Sequence, residues 1–321
     1  MEEETKKKKR FKLFDSQREG KGVSKEEANL PPNLKKFFIL YKRDFGRLLT
    51  VNMFMVLGNF PIFFLALAFS GILSYDFVSP ALDAFPVFQA LVAQEGLSAP
   101  LLALGGIIGV YTPAASFKPI AYVFMGLGLL LFFTWGIVNV GTTYILRNMV
   151  KGEPVFMWSD FWYAVKRNFK QAFPFGMLDL LLLGLLPVNV LILSQYSGFL
   201  NGILFWMNIF IAIIYITMRF YIYIQMVTFN LSIRKILKNA LIFSIVGFKR
   251  NFMAFLGICI LVFIHLALAY SGIFLGLAII LPLVLLFSNG AYMTTYAAYF
   301  KIKELMIDPY QEELSSPEEE H

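Results

Sequence analysis

Four long runs almost without charge dominate the hydrophobic pattern of the chain. None of Lys, Arg, Asp or Glu occurs between Arg47 and Asp76, between Lys118 and Arg147, or between Arg250 and Lys301. Between Lys170 and Arg219 the one charged residue is Asp179. A membrane-spanning helix needs about 20 predominantly apolar residues, and Gly and Ser pairs at QYSGFLNG (195–202) and AYSGIFLG (269–276) divide the longer runs. The pattern predicts spans near 48–73, 120–146, 172–194, 201–224, 253–270 and 273–299. The segment 97–117 is also apolar, but two prolines and a Gly-Gly pair suit a helix interior poorly. Residues 76–119 therefore read as an outer-face insertion, with 97–117 either re-entrant or on the outer surface.

Shorter patterns precede three of the runs. Phe37, Phe38, Tyr41 and Phe45 share one helical face behind Asn33, a good N-cap. Phe161, Val165, Phe169 and Phe173 recur every four residues behind Ser159 and Asp160. Ile233, Ile236, Leu237, Ala240 and Leu241 form a third stripe. Such stripes suit helices lying in the headgroup layer, apolar face toward lipid. Each ends in a related tetrapeptide: KRDF at 42–45, KRNF at 166–169 and KRNF at 249–252. The expected architecture is all-α: six transmembrane helices in three helical hairpins, each introduced by an interfacial amphipathic helix.

Composition agrees with the pattern. The 321 residues are 58% hydrophobic and 15% charged, where a soluble domain carries about a quarter charged. Of 28 Lys and Arg, all but Lys118 fall on one side of the predicted spans. The positive-inside rule then puts both termini in the cytoplasm of a multi-pass protein of the cell membrane. The 35 Phe and 15 Tyr suit lipid-facing and interfacial positions. Residues 1–33 read as a disordered basic tail, including KKKKRFK at 6–12. Residues 34–300 form the membrane domain, and 301–321 an acidic cytoplasmic tail. A leader of more than 40 residues before the first run does not resemble a cleavable signal. The net charge of +7 follows from membrane orientation, so nucleic-acid binding is not required to explain it.

Little in the chain suggests catalysis. There are two His and one Cys, and no phosphate-binding loop, zinc-protease motif or nucleophile elbow. No metal or cofactor is expected, and the protein reads as a non-enzyme. Cys259 reads as a small packing residue, and Gly126 and Gly128 as close-packing positions. Within the spans Asp179 stands about 13 Å past Lys170 at 1.5 Å per residue. Ionised there, a carboxylate is costly unless paired or hydrated. It is either a proton, cation or substrate site or a helix-packing contact, and in the second case an amide should serve as well. His265 is its candidate partner if the third and fifth spans touch. Asn59, Asn139, Asn208 and Asn289 either complete a polar seam or tie helices together. Arg219, near an inner end, is expected to snorkel, and Pro61 and Pro187 to kink their helices.

The run GKGVSKEE (20–27), the segment 33–63 and above all RNMVKGEPVFMWSDFWYAVKRNFKQAFPFG (147–176) resemble the YesL family of Gram-positive bacterial membrane proteins. Gly152-Glu153-Pro154, Trp158, Asp160, Phe161, Phe169 and Ala172 carry the resemblance. It implies an integral membrane protein of unestablished biochemistry, with an accessory role beside carbohydrate ABC importers, and it brings no catalytic residues. Two classes remain. One is a membrane accessory or scaffold that docks a transporter or regulator through an inner surface of Phe161, Lys166, Arg167, Phe169, Lys249 and Arg250. The other is a small-solute transporter or channel built around Asp179, His265, Asn59 and Asn139. Membrane lipids are partners of either; the oligomeric state is open.

Overall fold

Asn33 opens the first helix as its side chain predicts, Oδ1 accepting the Lys36 amide at 3.0 Å. The computed structural model describes residues 30–70, 118–272 and 274–315. The 6–12 run, nearly all of the 76–119 insertion and the acidic end past Ser315 lie outside the described residues. Among the described residues the structure is helical, with no strand. The helices are α1 (Leu34–Gly58), α2 (Pro61–Phe69), α3 (Pro119–Gly128), α4 (Leu131–Lys151), α5 (Met157–Leu193) and α6 (Phe199–Thr228). There follow α7 (Ile233–Val246), α8 (Phe248–Tyr270), α9 (Leu275–Leu281), α10 (Phe287–Ile302) and α11 (Asp308–Ser315). Wide π turns at Pro282–Leu286 and Lys303–Ile307 join the last three. Five segments are long and apolar enough to cross a membrane, and α1 with α2 makes a sixth if that broken pair is one span. This is the structure of a multi-pass membrane protein.

Two compact units divide these residues, Phe60–Leu131 and the rest. In the smaller one, α2 and α3 pack side by side. The Leu65 side chain fills the place a Cβ on Gly128 would take, so that glycine does permit close packing, whereas Gly126 faces open space.

In the larger unit, the amphipathic segments differ from expectation. Two of the three are not separate helices: the stripes of α1 and α5 run unbroken into their spans. No Gly or Pro interrupts the hydrogen-bond ladder between Ser159 and Phe173. Only α7 stands apart, ended by Gly247. Part of each stripe also turns inward to protein, while Phe38, Phe45, Phe169 and Leu241 stay exposed. Phe37 packs on Tyr292 and Tyr296 of α10, the Phe161 ring lies against Gly141 of α4, and Ile236 and Ala240 are sealed in the core shared with α6. An apolar face beside other helices gains packing contacts that lipid tails do not exceed.

In two of the three tetrapeptides the third residue makes the tying contacts. Asp44, wholly buried, accepts from Arg43 (2.6 Å) and Arg47 (2.8 Å), and Arg43 also reaches the Met149 carbonyl. Asn251 accepts the Tyr221 hydroxyl at 2.6 Å and donates to the carbonyls of Phe243 and Ser244, binding the end of α7 to the start of α8. Asn168 bonds only within its helix. The phenylalanines that follow are alike in exposure: Phe45 41%, Phe169 46% and Phe252 52%.

The Gly152-Glu153-Pro154 turn is a helix stop. Gly152 takes a φ of 82°, the Glu153 amide reaches back to the Asn148 carbonyl, and the Gly152 amide to that of Met149. That is the Schellman arrangement, with Pro154 preventing further helix. Nearby, Arg147 closes the C-terminus of α6 by donating to the Val227 carbonyl at 2.6 Å, while its guanidinium sits 4.6 Å from the centroid of the Tyr144 ring. The last span is repaired where it breaks. Pro282 has no N–H to give the ladder, and Asn52 of α1 donates to the Pro282 carbonyl (3.0 Å) and accepts the Ser288 amide (2.9 Å) across the π turn.

Candidate functional site

Backbone contact between α4 and α5 sets up the candidate site. Gly136 and Gly176 face each other so closely that a Cβ built on Gly136 would lie 2.9 Å from the Gly176 Cα, and closer still to the Ala172 carbonyl. No residue with a side chain fits there. One turn beyond Gly176, α5 presents Asp179, and beside Gly136, α4 presents Trp135. On the other flank of α5, α6 contributes Tyr215, Arg219 and Tyr223, spaced by four and therefore on one face.

Asp179 is 0% exposed, and five donors occupy its two oxygens. Oδ1 accepts from the Tyr215 hydroxyl (2.7 Å) and Arg219 Nε (2.6 Å). Oδ2 accepts from the Trp135 indole (2.9 Å), the Tyr223 hydroxyl (2.7 Å) and Arg219 Nη2 (3.0 Å). A carboxylate offers about four lone-pair sites, so its accepting capacity is used up. The guanidinium forks around the carboxylate, the strongest geometry for this pair. It also lies 5.8 Å from the Trp135 ring centroid and 6.0 Å from that of Tyr223, close enough for cation–π attraction. The charges cancel locally, and three helices are joined through one side chain.

Arg219 does not snorkel, contrary to the sequence expectation. The guanidinium finds its counter-charge in Asp179 of the neighbouring helix, and a cation so paired has no need of headgroups. For the same reason an amide at 179 would not serve as well, because it would leave Arg219 uncompensated. His265 is not among the donors of Asp179. It sits on α8, and its buried Nδ1 has no partner among the described residues. The asparagines do not converge on a seam. Asn59 and Asn139 donate to the carbonyls of Met55 and Trp135 in their own helices. Asn208 ties α6 to the Leu186 carbonyl of α5, and Asn289 accepts from Tyr41 of α1. Pro187 lies inside a continuous α5, while the chain at Asn59–Phe60, just before Pro61, separates two helices.

Sequence reasoning missed Trp135, Tyr215 and Tyr223. The signal for the tyrosines was present as Tyr-x3-Arg-x3-Tyr, a polar stripe in an otherwise apolar span. Trp135 carried none, since its role depends on the Gly136–Gly176 contact. Of the residues expected to form a docking surface, Lys166, Arg167, Phe169 and Lys249 are exposed. Phe161 is turned inward at 8% exposure, and Arg250 is held by Glu304 at 3.3 Å. Among the described residues no group of His, Cys, Asp and Glu has the makings of a metal site.

No curated protein and no solved structure matches the chain significantly. The α3–α5 segment, residues 119–190, matches the family model described as "Protein of unknown function, DUF624". That segment carries Trp135, Gly136, Gly176 and Asp179 but ends before α6, so the carboxylate half of the ion pair lies in the matched region and Arg219 outside it. By this match the core of the chain is similar to the family that includes the YesL proteins.

Proposed function

We propose that the protein is a non-enzymatic accessory or scaffold of the cell membrane that docks a transporter or regulator on its cytoplasmic face, the partner being a carbohydrate importer of the ABC class. The observation that carries the reading is the closed shell of Asp179. Its charge is spent on Arg219 and its oxygens on Trp135, Tyr215 and Tyr223, which suits a structural tie more than a site that must accept and release a solute. By contrast, the exposed cations Lys166 and Lys249 make no hydrogen bond or ion pair among the described residues. Together with Arg167 and Phe169 they offer a surface to something outside the chain.

In this reading both termini are cytoplasmic, residues 34–300 are the membrane domain, 76–119 is an outer insertion, and six spans pair as three hairpins. Packing of α5 on α6 and of α8 on α10 supports the pairing of neighbours in sequence. Orientation is checked by cysteine accessibility in intact cells, with Cys259 first replaced by Ser. An impermeant thiol reagent should label a cysteine at Ser98 and not one at Ser159; the reverse result rejects the topology.

Docking is tested by affinity capture in mild detergent with partners identified by mass spectrometry. Lys166→Glu with Arg167→Glu should lose the importer subunits at unchanged expression and thermal stability, since both residues are exposed. Retention of the same partners by this variant would rule out the surface.

A further inference from the structure

The exposed side of α7 changes character along its length. Ile236, Ala240 and Phe243 hold the helix against the core. Arg234, Lys235 and Lys238 are exposed in the first half. In the second half the exposed residues are Leu241, Ile242, Ile245 and Val246. Positions 234, 238, 241 and 245 follow one another at helical spacing on a single face. A helix lying flat in the headgroup layer would divide cations from apolar residues around its circumference. Here the division is axial, cations first and apolar residues after them along one exposed face.

Among the described residues the cationic half pairs with no counter-charge. Between Asp160 and Glu304 the only acidic residue is Asp179, which is enclosed by its own five donors. Among the described residues Lys170, Arg234, Lys235 and Lys238 make no hydrogen bond or ion pair. Gln171 Nε2 donates to the Leu231 carbonyl at 2.9 Å, which anchors the mouth of α7 to α5.

We propose that this face of α7 seats an anionic phospholipid. The phosphate meets Arg234, Lys235 and Lys238, and an acyl chain runs along Leu241 and Ile245. Both parts of one amphipathic molecule match the face in order, whereas a soluble phosphate would leave the apolar half uncovered. The inference rests on the membrane placement proposed above but names different residues from the docking surface.

The test uses the full chain in nanodiscs of equal phosphatidylcholine and phosphatidylglycerol, with bound lipid counted by native mass spectrometry. The native chain should retain phosphatidylglycerol preferentially. A cation near an anionic surface is worth about a fivefold change in binding, so Arg234→Gln, Lys235→Gln and Lys238→Gln together should cut the preference by roughly tenfold or more. Lys35→Gln with Lys42→Gln, which removes two exposed cations from α1, should leave it intact, and so should Lys166→Glu with Arg167→Glu. Inorganic phosphate at millimolar concentration should not displace the lipid. Unchanged preference in the α7 variant overturns the proposal. An equal loss in the α1 variant also overturns it, by reducing it to diffuse charge. Displacement by phosphate also overturns it, assigning the cations to a soluble anion instead. Failure of the docking experiment leaves this result unaffected, because different residues and a different readout are involved.

Discussion

Arg219→Leu should cost the folded protein about 3–5 kcal/mol, the usual penalty for stripping one partner from a buried ion pair. The reason is visible in the geometry. Asp179 is fully buried, and without Arg219 its negative charge would rest on two tyrosines and an indole in a medium that solvates ions poorly. Asp179→Asn should fall in the same range for the opposite reason, since Arg219 then keeps its charge and loses the carboxylate it pairs with. Replacing both charges, by Asp179→Asn with Arg219→Leu, should cost clearly less than the sum of the single changes, because no charge is left unpaired. Thermal or denaturant unfolding of the four proteins in one detergent gives the coupling directly. A coupling near zero would mean that the pair is hydrated and that the site is open. Loss of activity in Asp179→Asn alone therefore does not distinguish a transport site from a structural tie; the double variant does.

Gly136→Ala and Gly176→Ala should each destabilise the protein by about 3 kcal/mol or more. Overpacked side chains usually cost about 1–3 kcal/mol because neighbours can rotate away. Here the added Cβ would meet backbone on both helices, including the Ala172 carbonyl, and backbone in a helix cannot yield locally. Forcing α4 from α5 would also draw the Trp135 indole away from Asp179, so the penalty includes part of the polar cluster. Gly141→Ala should cost less, since its new Cβ would meet the movable Phe161 ring. Gly184→Ala, in the same helix as Gly176 but with nothing within 4 Å of its Cβ, should be neutral or stabilise by up to about 1 kcal/mol. Equal effects at 176 and 184 would show that the close approach does not exist in the bilayer.

Fluorescence-detected size-exclusion chromatography after heating suits this second series, because all four variants keep the same charge. Any difference among them then reports packing alone. The order Gly176→Ala, Gly141→Ala, Gly184→Ala from least to most stable is the expected result.

By itself the sequence determined that the chain is helical, apolar enough for a membrane, and divided near 195–202 and 269–276. These properties depend on local runs, because a stretch of some 20 uncharged residues has few other fates. It also marked Asn33 as a cap and Asp179 as the residue that required an explanation. Only the tertiary structure decided what that explanation is. Arg219 was assigned to the headgroups because its distance from the span end is a local property, while its pairing with Asp179 depends on which faces of α5 and α6 meet. Trp135 joins them because two glycines remove the side chains that would otherwise hold α4 and α5 apart. The aromatic stripes were read as lipid-facing for the same reason. Apolar periodicity defines a face but not its neighbour, and in a membrane both lipid and protein are apolar.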